Sequence, residues 1–136
     1  MSNFVYRKSI QYYSYPSILT DDVWAMLVRT GGSDYNPVPD SDRYLSDIPS
    51  GARIANTGSL SGKTFDLGIF KASSTNFGLV AAGSPIQAIV LFHHTGVDST
   101  SELFYYIDAD YTGLPVTPDG VNVITIKWPT AGIFQV

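Results

Sequence analysis

The side chains able to ligate or react are few in this chain and spaced against cooperation. His93-His94 is the one histidine pair, and the preceding Ala88-Ile-Val-Leu-Phe92 reads as a β-strand. Adjacent strand residues point to opposite faces, so two neighbouring rings are poorly placed to hold one metal ion. Asp108-Ala-Asp110 and Asp40-Ser-Asp42 place carboxylates at i and i+2, and Asp21-Asp22 are adjacent. A calcium loop also needs a Gly at its sharp turn and a bidentate Glu to close it. Neither accompanies these clusters, which read as solvated turn carboxylates, and no metal site is expected.

Hydrolytic chemistry has as little support. Asp47, Asp66 or Glu102 could meet in three dimensions as the carboxylate pair of a glycosidase, but no spacing links them. The chain has no Cys, no Gly-x-Ser-x-Gly and no Ser beside a recognisable base. Leu60-Ser-Gly-Lys-Thr-Phe65 contains the Gly-Lys-Thr that ends a phosphate-binding loop. The preceding Gly58 lies one position too close and no helical pattern follows, so the stretch reads as a turn entering a strand. No catalytic residue and no cofactor are expected, and the default reading is a protein whose function is its surface.

Composition narrows the partners. The 136 residues suffice for one domain with a sizeable core and no disulfide staples. A net charge of −4, with Arg7-Lys8 the one basic pair, gives no electrostatic hold on a phosphate backbone, so no nucleic-acid partner is expected. No apolar run approaches the about 20 residues of a membrane span, and the N-terminus lacks a signal-peptide core, so no membrane partner is expected. Aromatic residues are the informative excess, at 13% with nine Tyr. Tyr12, Tyr13, Tyr15, Tyr35, Tyr44 and Tyr111 lie in or beside turn-like sequence. Tyr suits protein or sugar interfaces, while the plainer alternative is that these rings cap the ends of a core.

The elements that must position these residues are short strands. Pro85 to Asp108 holds two apolar, β-branched and aromatic runs around a polar connection with Gly96, the pattern of a central antiparallel hairpin. Alternation sends Leu103, Tyr105 and Ile107 one way and Phe104 and Tyr106 the other, so both faces need cover, from another segment or another protein. Further strands are predicted at Val23–Thr30, Arg53–Leu60, Lys63–Phe65, Ile69–Ala72, Asn76–Val80 and Val121–Trp128, where Ile124, Ile126 and Trp128 share a face. Residues 33–43 have loop composition and are expected to run over the surface; Tyr44–Ile48 is at most one helical turn. The expected fold is all-β, an antiparallel β-sandwich of jelly-roll type over residues 21–136, preceded by an N-terminal arm or short helix over residues 1–20.

Leu60-Ser-Gly-Lys-Thr-Phe65, Gly68-Ile-Phe-x-Ala72, Ala88-Ile-Val-Leu91 and Thr95-Gly96 resemble a family of small tailed-bacteriophage virion proteins. So do Tyr106-Ile-Asp108, Gly113-Leu-Pro-Val-Thr-Pro-Asp-Gly120 and Ile124-Thr-Ile-Lys-Trp128, with Val23-Trp-Ala-Met-Leu-Val28 and Tyr44-Leu-Ser-Asp-Ile-Pro49 upstream. The chain departs from that pattern where His94 precedes the Thr-Gly turn in place of an acidic residue, and where Pro129-Thr-Ala-Gly132 follows the tryptophan. The resemblance implies a capsid decoration, or cement, protein. Such a protein assembles in the host cytoplasm, sits on the outer surface of the head and links subunits of the phage major capsid protein, commonly as a homo-oligomer, here a dimer or trimer. On that reading the contacts come from the N-terminal aromatics Phe4, Tyr6, Tyr12, Tyr13 and Tyr15, from Tyr35 and Tyr44, and from Phe104 and Tyr106 of the hairpin. The alternative within a virion is a tail or tail-tip protein that recognises a host surface glycan.

Overall fold

A computed structural model describes residues 3–10, 19–73, 75–108, 114–126, 128 and 132–135. Its strands are β1 (Phe4–Val5), β2 (Val23–Val28), β3 (Arg53–Ser59), β4 (Thr64–Asp66), β5 (Ile69–Lys71), β6 (Thr75–Leu79), β7 (Ala88–His93), β8 (Leu103–Ile107), β9 (Val123–Ile126) and β10 (Phe134–Gln135). One helical turn, α1 (Arg7–Ile10), follows β1, and a 3-10 turn at Leu45–Asp47 takes the place of the single turn expected there. The chain is an all-β protein of antiparallel sheets. Five strands form the main sheet in the order β1-β8-β7-β2-β3, facing a three-stranded sheet β10-β5-β4 and a ribbon β6-β9. The predicted hairpin is therefore central, with β7 in the middle of the main sheet.

The main sheet is apolar on both faces, and this chain covers both. Val23, Ala25 and Leu27 of β2 and Ile89 and Leu91 of β7 pack inward against Phe70, Phe77, Ile124, Trp128 and Phe134 from the smaller sheets, which is the sandwich core. The alternate residues Met26, Val28, Ala88, Val90 and Phe92 pack outward against Tyr6, Tyr35, Leu45, Ile48 and Ala52. Period-two alternation thus holds in both strands. Residues 33–43, expected to run over the surface, lie partly within this second layer, and Tyr35 is buried there.

Strict alternation fails in β8. Leu91 pairs with Tyr105 but Phe92 pairs with Leu103, so Phe104 is an extra residue at a bulge. The consequence corrects the expected faces: Phe104, Tyr105 and Ile107 join the sandwich core, whereas Leu103 and Tyr106 join the outer layer.

The N-terminal segment belongs to the sheet as well as forming a helical turn. Phe4 and Val5 pair with Tyr106 and Tyr105, and Tyr6 is fully buried. Arg7 pairs with Asp40 and the Lys8 amide reaches the Pro39 carbonyl, so residues 3–8 are tied to the 33–43 segment.

Two local irregularities turn apolar side chains outward. The β4–β5 hairpin closes through Leu67 and Gly68, with φ of 52° and 78°, in the left-handed region that a two-residue hairpin turn of the primed type requires. Leucine adopts that region reluctantly, and here its side chain is 86% exposed. In β6, Gly78 at φ 76° lies within a register shift between Asn76 and Leu79. Phe77 and Val80 are buried while Leu79 stands 62% exposed beside its cross-strand partner Val123, itself 53% exposed.

Candidate functional site

A cleft of about 340 Å³ opens where edge strand β3 meets the outer face of β2 and β7. Its apolar lining includes Met26, Leu45, Ile54, Ala55 and Phe92, with Trp24 and His94 alongside, and its polar lining includes Ser50, Arg53, Asn56 and Asp98. The sequence builds this locally. Trp24 and Met26 are alternate residues of β2, and Phe92 pairs directly with Trp24 across the sheet.

The aromatic wall is held in place by a carboxylate. The rings of Trp24 and His94 stack 3.6 Å apart and within 6° of parallel. Asp22 Oδ1 accepts hydrogen bonds from Trp24 Nε1 at 2.9 Å and from the Ser59 hydroxyl, while Asp22 Oδ2 lies 3.5 Å from His94 Nδ1. Partial burial pushes the Asp22 carboxyl up. The hydrogen bonds from Ser59 and Trp24 and the nearness of His94 outweigh that and hold it below its ordinary value. In this group the hydroxyl faces the carboxylate and not the imidazole, so Ser59 has no base in the arrangement a nucleophilic serine uses. The constellation is a clamp on two rings.

The opposite rim is braced too. Arg53 Nη1 donates to Asp98 Oδ2 at 2.7 Å, the Leu45 amide to the Ser101 carbonyl at 2.8 Å, and the Ser46 amide to the Asp98 carbonyl at 3.2 Å. Residues 95–101 are bonded to one another through Thr95, Thr100 and Ser101, and Ser101 Oγ donates to the Val97 carbonyl at 2.9 Å. The cleft is therefore formed by the fold itself, with Arg53 and Asp98 paired at its rim.

The predicted interface residues fall into three groups. Tyr6, Tyr35, Phe104 and Tyr106 are buried within the chain, and the faces expected to seek a partner are taken up by intramolecular packing. Phe4 is half-buried and stacks on Tyr106 with centroids 4.7 Å apart; Tyr44 is half-buried with the Arg43 guanidinium 4.7 Å from its ring centre. Tyr12, Tyr13 and Tyr15, with Tyr111, lie outside the described residues. Among the carboxylates, Asp47 accepts the amides of Arg43 and Tyr44, Glu102 pairs with the Arg43 side chain, and Asp66 lies on β4 in a different sheet. His93 faces Phe104 while His94 faces Trp24, on opposite sides as strand geometry requires.

The cleft residues Trp24, Arg53, Asn56, Phe92 and Asp98 carried no functional expectation from sequence. They come from three strands and a loop, so no local spacing connects them; the one available signal was Trp24 alternating with Met26 along β2. No protein-family model and no curated protein matches the chain. Fold and site together define an all-β sandwich with a preformed cleft, crossed by one ion pair, on the outer face of its main sheet.

Proposed function

We propose that this chain is a non-catalytic capsid decoration protein, bound to the outside of a bacteriophage head and linking major capsid protein subunits through packing contacts. The observation that carries the reading is the pair of places where the backbone departs from regular geometry to expose an apolar side chain. Leu67 occupies a left-handed position at a hairpin tip, and the Gly78 irregularity turns Leu79 out beside Val123 and near the 78%-exposed Val121. Scattered surface apolar residues are ordinary, but Leu67 holds its exposed position at a backbone cost and Leu79 and Val123 stand out as an adjacent pair, and a partner surface gives both a use. The resemblance to small tailed-phage virion proteins points to the same role, and the low charge suits a contact made by area.

Phe4, Tyr44 and the N-terminal Tyr12, Tyr13 and Tyr15 remain candidates for the shell contact or for self-association into a dimer or trimer. Tyr6, Tyr35, Phe104 and Tyr106 serve it indirectly, by shaping the sheet. The test is binding of purified protein to undecorated heads, compared with Leu67→Asp and Val123→Asp chains. Wild-type protein saturates the heads and the variants bind more weakly while folding normally. Binding to tails alone, or equal binding by all three chains, overturns the reading.

A further inference from the structure

We infer that the cleft beside β3 is a binding site for a neutral sugar ring, a pyranose offered either as a free saccharide or at the end of a glycan. The inference concerns a surface separate from Leu67 and Leu79 and does not rest on the decoration reading.

Three features of the cleft select this ligand. Its volume of about 340 Å³ is at the small end of ligand sites, the scale of one ring with its substituents. Its lining is divided: the half-buried Trp24–His94 stack, backed by the buried side chains of Met26, Phe92 and Leu45, gives an apolar and aromatic wall, while Ser50 and Asn56 bring neutral donors and acceptors. A pyranose has the same division, with C–H groups on a face and hydroxyls around its perimeter.

Charge removes the competitors. The formally charged residues of the lining, Arg53 and Asp98, are paired with each other, so the cleft presents no excess of either sign to a carboxylate, phosphate or ammonium ligand. An anionic ligand drawn to Arg53 meets the Asp98 carboxylate already held on Nη1, which repels it. A wholly apolar occupant, such as an aliphatic side chain of another protein, would bury Asn56 and that ion pair without replacing their hydrogen bonds to water, which is unfavourable. A hydroxylated ring replaces those bonds while covering the aromatic wall. Because the rims are already fixed by the Leu45–Ser101, Ser46–Asp98 and Arg53–Asp98 bonds, little ordering is left for the ligand to impose.

The experiment is an amide and indole NMR titration of the full chain with glucose, galactose, mannose, N-acetylglucosamine and N-acetylgalactosamine, and with N-acetylneuraminic acid as the charged comparison. At least one neutral sugar moves the Trp24 indole and the Asn56 and Gly96 amides in a saturable way. An Asn56→Trp chain, which fills the cleft from an exposed position on the edge strand, loses those shifts. Should that chain fail to fold, Ser50→Trp blocks the cleft from the 3-10 turn over Ser50–Ala52 and loses the shifts instead. No saturable shift with any neutral sugar overturns the inference, as do a response to N-acetylneuraminic acid alone and shifts that persist when the cleft is filled. Loss of head binding without prior sugar binding in the filled variant assigns the cleft to a protein contact, and equally overturns it.

Discussion

The hydroxyls of Tyr6 and Tyr35 meet at 3.0 Å in the interior, and Tyr35 passes the chain of hydrogen bonds on to Asp42 Oδ2 at 2.6 Å. Asp42 also accepts the Val38 amide at 2.8 Å, so this relay fastens the N-terminal segment to the 33–43 segment across the outer face of the main sheet. A Tyr35→Phe chain keeps the ring but leaves Tyr6 and Asp42 each short of a partner. It is expected to lose about 1–3 kcal/mol, the cost of buried polar groups left unsatisfied. Urea denaturation reads this as a lower midpoint with an unchanged slope.

The same tyrosines set an alkaline limit. Burial, the largest cause in each case, raises the phenols of Tyr6, Tyr35 and Tyr106 well above the ordinary 10.0. In the unfolded chain these groups ionise near 10.0, while in the folded chain they stay protonated, so the unfolded state binds fewer protons above that pH. Their contribution is complete below 10.0 and is lost as the pH rises beyond it. Denaturation midpoints measured on both sides of that value should fall on the alkaline side, and fall less in Tyr35→Phe.

Leu67 separates stability from binding. Replacing it with Asn, which accepts the left-handed region more readily, removes strain and an exposed apolar side chain together. Leu67→Asn is expected to melt at or above the wild-type temperature, with a gain of up to about 1 kcal/mol, yet to decorate heads more weakly. A loss of both properties would mean that Leu67 supports the hairpin itself.

The strands were legible because alternation is a local property. Val23–Thr30 contains β2 and Asn76–Val80 overlaps β6 with a one-residue offset, and the stretch from Leu60 to Lys63 is a turn entering β4. What alternation could not reveal was the second layer. The Pro- and Asp-rich composition of residues 33–43 reads as surface loop, and nothing local says that Tyr35 will turn inward to meet Tyr6. The bulges in β8 and β6 were hidden for a related reason: each depends on the register of a partner strand. The cleft was hidden most fully, since Trp24, Arg53, Asn56 and Asp98 become neighbours only once β2 lies between β3 and β7.

Asp119 gives a local acid reporter. Its carboxylate accepts the amides of Asn122 and Val121, both at 2.8 Å, and the Asn122 side-chain amide at 2.7 Å, which lowers its pKa to about 2. A lowered carboxyl supports the turn above its ordinary 3.8 and ceases to as the pH falls from there toward about 2. A carboxyl NMR titration should place the Asp119 midpoint near that value, with the Val121 and Asn122 amides moving in step.

The central claim, that this chain works by covering and joining shell subunits, is tested most directly by its copy number in purified particles, measured by quantitative mass spectrometry against the major capsid protein. The account predicts a fixed, stoichiometric ratio to that protein. A handful of copies per particle, matching the tail tip, or none at all, would contradict it.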